Sequence, residues 1–333
     1  MDTAVLFPFA QYWWVYAVFT AGILGLLLLD LGVFHRKSHA VSMKESLAWS
    51  AIWISLGLVF GLVLWQWSGA QLAARGIADA AAHADRIGLE YFSGFVVEKA
   101  LAVDNLFVIA MIFAYFQVPA AYQHRVLFFG ILGALVFRAL FIAAGAALMQ
   151  YHWVIIVAGL FLIFTGVKML FVGDSKVDPD KNPLIRLLRK LLPVTPEFRG
   201  EKFFVRDGGR LWATPMLVCL VFIEVSDIVF AIDSVPAIFA LTKEPLVVFT
   251  SNIFAILGLR SLYFLLAGVM DKFHLLKVGL AFILVFVGLK MVWLDQAFGG
   301  KFPIGWSLGI IGGMLALSMV ASLVIPSRPK PVE

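Results

Sequence analysis

Two stretches of the sequence repeat one pattern of acidic and small polar residues inside long apolar runs. The first reads EKALAVDNLFVIA from Glu98, and the second reads DIVFAIDSVPAIF from Asp227. In both, an acid is followed six residues later by an aspartate and then by a small polar residue. Ionised side chains are costly within a bilayer, so acids there indicate a functional site. With the nearby Glu224, the candidate site consists of Glu98, Asp104, Asn105, Glu224, Asp227, Asp233 and Ser234.

The donor atoms of these side chains are carboxylate, amide and hydroxyl oxygens, and no histidine or cysteine lies close to either motif in sequence. Hard oxygen ligands suit Mg²⁺, Ca²⁺ or Mn²⁺ and do not select copper or zinc. We therefore predict that this set binds a divalent cation. A structural role stays open, in which the acids pair with Arg138, Arg260 and Lys99 to hold the helices together. Both roles could apply if the arginines pair with the acids in one conformation only.

The composition is that of a membrane protein. Apolar residues make up 62% of the chain and charged residues only 14%, and the mean hydropathy is +0.95. These values exclude an ordinary soluble domain and a disordered chain. The net charge of +5 does not indicate a nucleic-acid partner, because the basic residues cluster in short loops between apolar runs. The single cysteine, Cys219, supports neither a disulfide framework nor a thiolate metal site.

Nine apolar runs are long enough for membrane-spanning helices, which need about 20 residues each. The sixth run is too long for one straight helix, and Pro236 within it predicts a kink or break. We predict an all-α polytopic membrane protein with spans near residues 13–34, 46–67, 91–116, 125–149, 152–172, 211–241, 246–269, 275–295 and 304–325.

Predicted helices three to five and six to eight look like two copies of one unit. Arg138 in the fourth helix matches Arg260 in the seventh, and the sequence GVKM at 166–169 matches GLKM at 288–291. An odd number of helices per unit gives the two copies opposite orientations, which is the inverted repeat of many secondary transporters. Such a repeat would place the two acid motifs face to face near the bilayer midplane.

The predicted regions are 1–90 (two N-terminal helices and a periplasmic loop), 91–172 (repeat 1), 173–210 (a basic cytoplasmic loop), 211–296 (repeat 2) and 297–333 (a C-terminal helix and tail).

The basic residues predict the orientation of the chain. The first loop, with Arg36, Lys37 and Lys44, and the long loop at 173–210 fall on the same side if nine helices alternate. By the positive-inside rule this side is the cytoplasm, so the N-terminus lies outside and the C-terminus in the cytoplasm. Within the long loop, the amphipathic stretch LIRLLRKLL could lie on the inner membrane surface or form a solvated linker helix.

A reporter fused after residue 190 is expected to report the cytoplasm, and one fused near Ala82 the periplasm, because of this asymmetry of basic residues. Paired fusions to alkaline phosphatase and a green fluorescent protein would measure it, since the first is active only outside the cytoplasm and the second fluoresces inside it. Both positions on one side of the membrane would contradict the alternation of nine helices and, with it, the inverted repeat.

The two acids of each motif do not share one face of a regular helix, because six residues turn through about 600°. The second acid can therefore join the first only if the helix unwinds locally or if two helices present complementary faces. Asn105 and Pro236 favour local unwinding, which would add backbone carbonyl oxygens to the ligand set.

The sequence resembles the TerC family of integral membrane proteins, and within it the alkali-induced, manganese-linked bacterial branch called Alx. The matching segments cover nearly the whole chain and read LLLLDLGVFHRKSHAVSMKESLAWSAIWI, EKALAVDNLFVIA and EVSDIVFAIDSVPAIFA. The resemblance implies a fold similar to that of the LysE superfamily and a role in manganese export, in a family named for its link to tellurium resistance. Plastid members look like assembly factors for membrane complexes. The resemblance also implies that the family's membrane-embedded acids are Glu98, Asp104, Glu224, Asp227 and Asp233.

The leading hypothesis is a secondary transporter, not an enzyme, that exports Mn²⁺ from the cytoplasm and has no tightly bound cofactor. Metal binding requires deprotonated carboxylates, so one site could exchange the metal for protons. The sequence contains no nucleotide-binding motif that would indicate export driven by ATP. The alternatives are a membrane scaffold or insertion factor with structural acids and, with weaker support, an intramembrane enzyme that uses paired aspartates.

Overall fold

The computed structural model describes residues 5–29, 42–149, 151–171, 193–267, 275–299 and 302–325, except for the side chains at positions 103, 104, 107 and 233. The predicted amphipathic stretch LIRLLRKLL lies outside these residues. The elements in chain order are α1 (Phe9–Leu29), α2 (Met43–Ala74), α3 (Ala80–Tyr115), α4 (Ala120–Leu148), α5 (His152–Phe171), β1 (Phe204–Asp207), β2 (Arg210–Ala213), α6 (Pro215–Phe239), α7 (Pro245–Ile256), α8 (Leu259–Ala267), α9 (Leu276–Leu289), a π-helical turn (Lys290–Leu294) with a last α-helical turn (Asp295–Ala297), and α10 (Ile304–Val324).

Seven of the described helices are long and apolar enough to cross a membrane. The pair α7 and α8 adds an eighth span if the two helices, which are bent by 42° at their junction, count as one. The fold class of an all-α polytopic membrane protein is therefore confirmed, with one short β-hairpin as an addition. The span predicted near 91–116 coincides with α3, which has 36 residues but carries too many charged side chains to join this set. The count of nine spans stays a prediction.

Proline marks the start of five of the described helices. Pro215 and Pro245 are the first residues of α6 and α7, and Pro8, Pro119 and Pro303 directly precede α1, α4 and α10. Proline fits these positions because the first turn of a helix has N–H groups without intrahelical partners. At α2 the side chain of Ser42 meets the same need, since its Oγ accepts a hydrogen bond of 3.3 Å from a backbone N–H of the first turn.

The long run at 211–241 divides differently from the prediction. Residues 211–213 belong to β2, which pairs with β1 in an antiparallel hairpin, and α6 begins only at Pro215. The predicted break at Pro236 is wrong, because α6 continues through this residue; the alternative, a kink, stays a prediction. Pro236 lies in the last turn of the helix, where it removes the hydrogen bond that a backbone N–H would donate to the carbonyl oxygen of Ile232. The predicted unwinding at Asn105 is also wrong, since α3 is helical throughout.

The helix break lies instead at the junction of α7 and α8. Gly258 has a φ of +80° there, in the left-handed region that favours glycine. A Cβ at Gly258 would also lie 2.7 Å from the Cβ of Trp53 in α2. The break leaves the carbonyl oxygen of Leu257 accessible to Lys99 of α3, whose Nζ donates a hydrogen bond to it at 2.9 Å.

The central helix of the bundle is α3, which packs against α2, α6, α7 and α10. The helices of the two predicted repeats pack in a swapped pattern, with α3 against α7, α4 against α6 and α5 against α9. Two units related by a two-fold axis would give this pattern, because the rotation exchanges the first two pairings and maps the third onto itself. The packing therefore supports an inverted repeat, which stays a prediction.

The contact between α5 and α9 is reciprocal at two glycines that match in sequence. A Cβ at Gly166 would lie 2.6 Å from the carbonyl oxygen of Ala281, and a Cβ at Gly288 would lie 2.5 Å from the carbonyl oxygen of Gly159. Ala281 precedes Gly288 by seven residues, and Gly159 precedes Gly166 by the same interval. Each glycine thus contacts the equivalent point of the other helix, as a local two-fold relation requires.

The N-terminal residues form a latch on the loop between α6 and α7. By latch we mean the contact of Leu6 and Phe7 with Glu244, whose carboxylate accepts hydrogen bonds from their backbone N–H groups at 2.7 and 3.3 Å. Arg75 at the end of α2 donates to the carbonyl oxygen of Leu6 at 2.8 Å. Burial raises the pKa of Glu244 above its ordinary value of 4.5; the two backbone N–H groups oppose this shift, and the nearby charge of Glu90 adds to it.

The latch predicts that Glu244 weakens the folded state as the pH rises. The carboxyl group binds its proton more tightly in the folded protein than in the unfolded chain, so its contribution to stability is present below about pH 4.5 and is lost as the pH rises through the raised pKa. Glu244→Gln is expected to flatten this part of the stability profile, as measured by thermal melting in detergent across mildly acidic to neutral pH. Glu197→Gln, at an exposed position, is the control. Identical pH profiles for the parent and Glu244→Gln would contradict the prediction.

Candidate functional site

Glu98 of α3 and Arg138 of α4 form a buried ion pair. Nη1 of Arg138 donates to Oε2 of Glu98 at 2.8 Å, and the two side chains are 2% and 1% exposed. Nη2 of Arg138 lies 3.6 Å from Oδ1 of Asp227 in α6. One guanidinium therefore contacts an acid from each of the two motif helices.

Asn252 of α7 completes this network, although it belongs to neither acid motif. Its Nδ2 donates to Oε1 of Glu98 at 2.6 Å, and its Oδ1 accepts from Nη1 of Arg138 at 3.2 Å. The side chain is fully buried. Sequence reasoning missed this residue, and the signal that could have found it was an amide inside an apolar run, where a polar side chain marks a functional or packing contact.

Glu224 and Asp227 lie three residues apart on α6, so their side chains share one face of the helix. The carboxylate of Glu224 lies against Gly133 of α4, where a Cβ would come within 2.0 Å of its Oε1. Three buried oxygen atoms near this face have no hydrogen-bond partner among the described residues: Oε2 of Glu224, Oδ2 of Asp227 and Oγ of Ser234. Because buried polar atoms are normally paired, these oxygens are available to a cation or a proton.

The remaining predicted ligands are only partly described. Asn105 and Ser234 are buried, with 4% and 3% of their surface exposed. The side chains of Asp104 and Asp233, the second acid of each motif, lie outside the described residues. Among the side chains that are described, no group of three or more aspartate, glutamate, histidine or cysteine residues is arranged to hold a metal ion. The convergence of all seven predicted ligands on one cavity stays a prediction.

The three predicted counter-charges have different surroundings. Arg138 lies in the network, whereas Lys99 donates to the carbonyl oxygen of Leu257 and lies 5.8 Å from the ring of Phe95. Arg260 is buried next to the break between α7 and α8. In the described contacts, Lys99 therefore binds the end of α7 at Leu257 and does not pair with its neighbour Glu98.

A further buried cation lies at the end of α6. Lys290, in the π-helical turn after α9, donates to the carbonyl oxygen of Ala240 and lies 3.3 Å from Oδ1 of Asp295. A positive charge is favourable at the carboxyl end of a helix, where carbonyl groups lack intrahelical partners. Lys168, which matches Lys290 in the repeat, is exposed, so the two units differ at this position.

Comparison with known proteins shows the class of this molecule. A family model described as "Integral membrane protein TerC family" matches residues 83–330. The chain belongs to the TerC family. Relatives of this TerC protein include a membrane protein of Myxococcus xanthus, which is 49% identical over 320 residues covering 96% of this chain and 94% of the relative. No solved structure matches the chain.

Two further relatives of the TerC protein extend the comparison. Alx of Escherichia coli strain K12, named as a proposed membrane-bound redox modulator, is 46% identical over 317 residues, or 95% of each chain. A membrane protein of Rickettsia bellii is 42% identical over 275 residues, which cover 82% of this chain and 86% of the relative. The family resemblance seen in the acid motifs is confirmed, and the TerC protein is a multi-pass integral membrane protein.

Proposed function

We propose that this TerC protein is a secondary transporter that exports a divalent metal ion, preferably Mn²⁺, from the cytoplasm in exchange for protons. The observation that carries the proposal is the position of Arg138 between Glu98 and Asp227. Acids from the two motif helices share one positive charge here, inside a membrane-spanning bundle. A cation site between helices of two repeats is typical of transporters that open alternately to the two sides of a membrane.

The donor atoms favour a hard cation as the transported ion. Glu224, Asp227 and Ser234 each present an oxygen atom without a partner among the described residues. Magnesium, calcium and manganese bind such oxygen ligands, whereas copper and zinc are selected by nitrogen and sulfur. For bound Mn²⁺ we expect metal–oxygen distances of about 2.1–2.3 Å, between the ranges for magnesium and calcium. The predicted acids Asp104 and Asp233 would complete the ligand set.

Export of a divalent cation requires a source of energy. Moving it outward against an inside-negative potential costs about 4.6 kcal/mol per 100 mV, twice the value for a single charge. A carboxylate cannot hold a proton and ligate a metal ion with the same oxygen, so protons that enter the site favour release of the metal. Exchange at one set of carboxylates would thus couple export to the inward movement of protons. We place the protein in the bacterial inner membrane with its N-terminus in the periplasm, as the basic loops favour.

Metal flux in proteoliposomes that contain the purified protein tests this function. We expect uptake of Mn²⁺ into the vesicles, which Mg²⁺, Ca²⁺ and Zn²⁺ are added to compete with. We also expect a simultaneous pH change inside the vesicles, which would show that protons move in the opposite direction. Liposomes without protein are the control. If the folded protein moves none of these metals, the transport function is wrong; metal flux without proton movement rejects only the exchange.

A membrane scaffold or assembly factor is the second candidate function. The observation that favours it is the pairing of Glu98, since both of its carboxylate oxygens are hydrogen-bonded within the protein. The name of the relative Alx suggests redox modulation as a third activity. The only cysteine of this chain, Cys219, is fully buried, so a dithiol–disulfide couple cannot form within one chain.

A further inference from the structure

Arg138 is bound unequally by the two motif helices. Its contact with Glu98 is a hydrogen bond of 2.8 Å, whereas its contact with Asp227 is an ion pair of 3.6 Å without close hydrogen-bond geometry. Glu98 is held in turn by Asn252, which contacts both members of the pair. The guanidinium is therefore fixed at its Glu98 end and only weakly attached at its Asp227 end.

The carboxylates on the α6 side are correspondingly free to accept a cation. Oδ2 of Asp227 and Oε2 of Glu224 have no hydrogen-bond partner among the described residues, while both oxygens of Glu98 are occupied. A transported cation that binds here must displace Arg138 from Asp227 but need not break the bond to Glu98. Arg138 keeps its charge at any physiological pH, so it competes by position and not by losing a proton.

We propose that Asn252 is a positioning residue that holds Arg138 on Glu98, and that Arg138 competes with the transported divalent cation for Asp227. This inference rests on the proposed transport function and deepens it. When the site is empty, the guanidinium partly neutralises Asp227. When the metal ion arrives, Asn252 keeps the guanidinium on Glu98, so that Asp227 is free to bind the metal. Without Asn252, Nη1 of Arg138 loses one acceptor and the guanidinium turns more readily towards Asp227.

The kinetics of Mn²⁺ transport by four purified variants test this inference. Asn252→Leu, which is similar in volume but cannot hydrogen-bond, is expected to raise KM about tenfold, the effect of one hydrogen bond to a charged group. Arg138→Gln breaks the buried pair with Glu98 but leaves an amide that can donate to that carboxylate, and its folding is checked by size-exclusion chromatography. It removes the competitor, so the KM of the folded protein is expected to fall, and kcat falls with it because the metal is released more slowly. The double variant is expected to have the KM of Arg138→Gln, since Asn252 acts through Arg138.

The matched control is Ser251→Ala, because this buried neighbour on α7 donates only to the backbone of its own helix and its loss should leave KM unchanged. If Asn252→Leu does not fold, Asn252→Ser, whose hydroxyl is too short to bridge Glu98 and Arg138, is expected to raise KM in the same way. Mn²⁺ binding to the protein in detergent gives a second readout, in which the dissociation constants should follow the same order.

The outcomes separate this inference from the transport function. The inference is overturned if Asn252→Leu leaves KM unchanged, or if Asn252→Leu raises KM equally in the parent and in the Arg138→Gln protein. The transport function still stands in that case, provided that the parental protein transports Mn²⁺. If the parental protein neither transports nor binds Mn²⁺, the transport function fails and the inference fails with it. A lower kcat at constant KM for every variant would show that Asn252 only stabilises the fold.

Discussion

Asp227→Asn is expected to reduce Mn²⁺ export by at least about a hundredfold while leaving a folded protein. Even residues that only orient a metal ligand cost 10–100-fold in affinity when they are removed, so loss of a ligand charge should cost at least as much. The cost in stability should be small, because asparagine has nearly the volume of aspartate and the contact of Asp227 with Arg138 is a long one of 3.6 Å. Glu98→Gln is a poorer test, since it breaks a buried ion pair, at a cost of about 3–5 kcal/mol.

Export assays in proteoliposomes, together with size-exclusion profiles of the purified variants, measure both effects. The control is Asp207→Asn, which removes the same charge at an exposed position in the β-hairpin and should export at the parental rate. Asp104→Asn and Asp233→Asn are expected to behave like Asp227→Asn, and cells that express any of these variants should accumulate manganese and become sensitive to it. Parental export by both Asp104→Asn and Asp233→Asn would exclude these acids from the transport site and favour the scaffold.

Gly288→Ala is expected to have the largest effect on folding. The new Cβ would lie 2.5 Å from the carbonyl oxygen of Gly159 and 3.0 Å from the backbone nitrogen of Ile163, so α5 and α9 must move apart. Overpacking of this kind typically costs about 1–3 kcal/mol, and backbone atoms cannot rotate away as a side chain can. The melting temperature in detergent and the yield of monodisperse protein should both fall.

The matched control for this change is Gly309→Ala in α10, where a Cβ would meet nothing within 4 Å. Alanine favours a helix over glycine by about 1 kcal/mol, so this variant should be as stable as the parent or more so. Gly166→Ala, whose Cβ would lie 2.6 Å from the carbonyl oxygen of Ala281, should lose as much stability as Gly288→Ala if the two repeats are equivalent. If the Gly288→Ala protein has the same melting temperature as the Gly309→Ala protein, the two helices adjust to the new methyl group without a cost in stability.

The apolar runs and the matched motifs predicted much of this architecture. A membrane-spanning helix needs little beyond a run of apolar residues, because its backbone hydrogen bonds are all internal. The class of fold and the approximate positions of most long apolar helices therefore followed from the sequence. The matched glycines also carried information, since close backbone contact tolerates no side chain, and Gly166 and Gly288 occupy equivalent points of one contact.

Features that depend on contacts between distant residues were not predictable in the same way. Pro236 suggested a break that α6 does not show, because a helix can continue through a proline at the loss of one backbone hydrogen bond, and the sequence alone does not show where packing offsets that loss. The break occurs at Gly258, which has a positive φ and packs closely against Trp53 of α2, a contact between residues far apart in sequence. The amide of Asn252 inside an apolar run marked a polar contact, but its partners, Glu98 and Arg138, come from two other helices, and the sequence did not identify them.

The bend at Gly258 makes the two halves of the bundle mechanically different. The equivalent position in the first half, two residues before Arg138, is Val136, which lies inside the uninterrupted helix α4. Identical halves of an inverted pair would spend equal time open to either side when no ligand and no voltage are present. With a break in one half and an uninterrupted helix in the other, the two open forms of the proposed transporter would differ in free energy. Its preferred resting direction would then be a property of the chain itself, before any gradient acts on it.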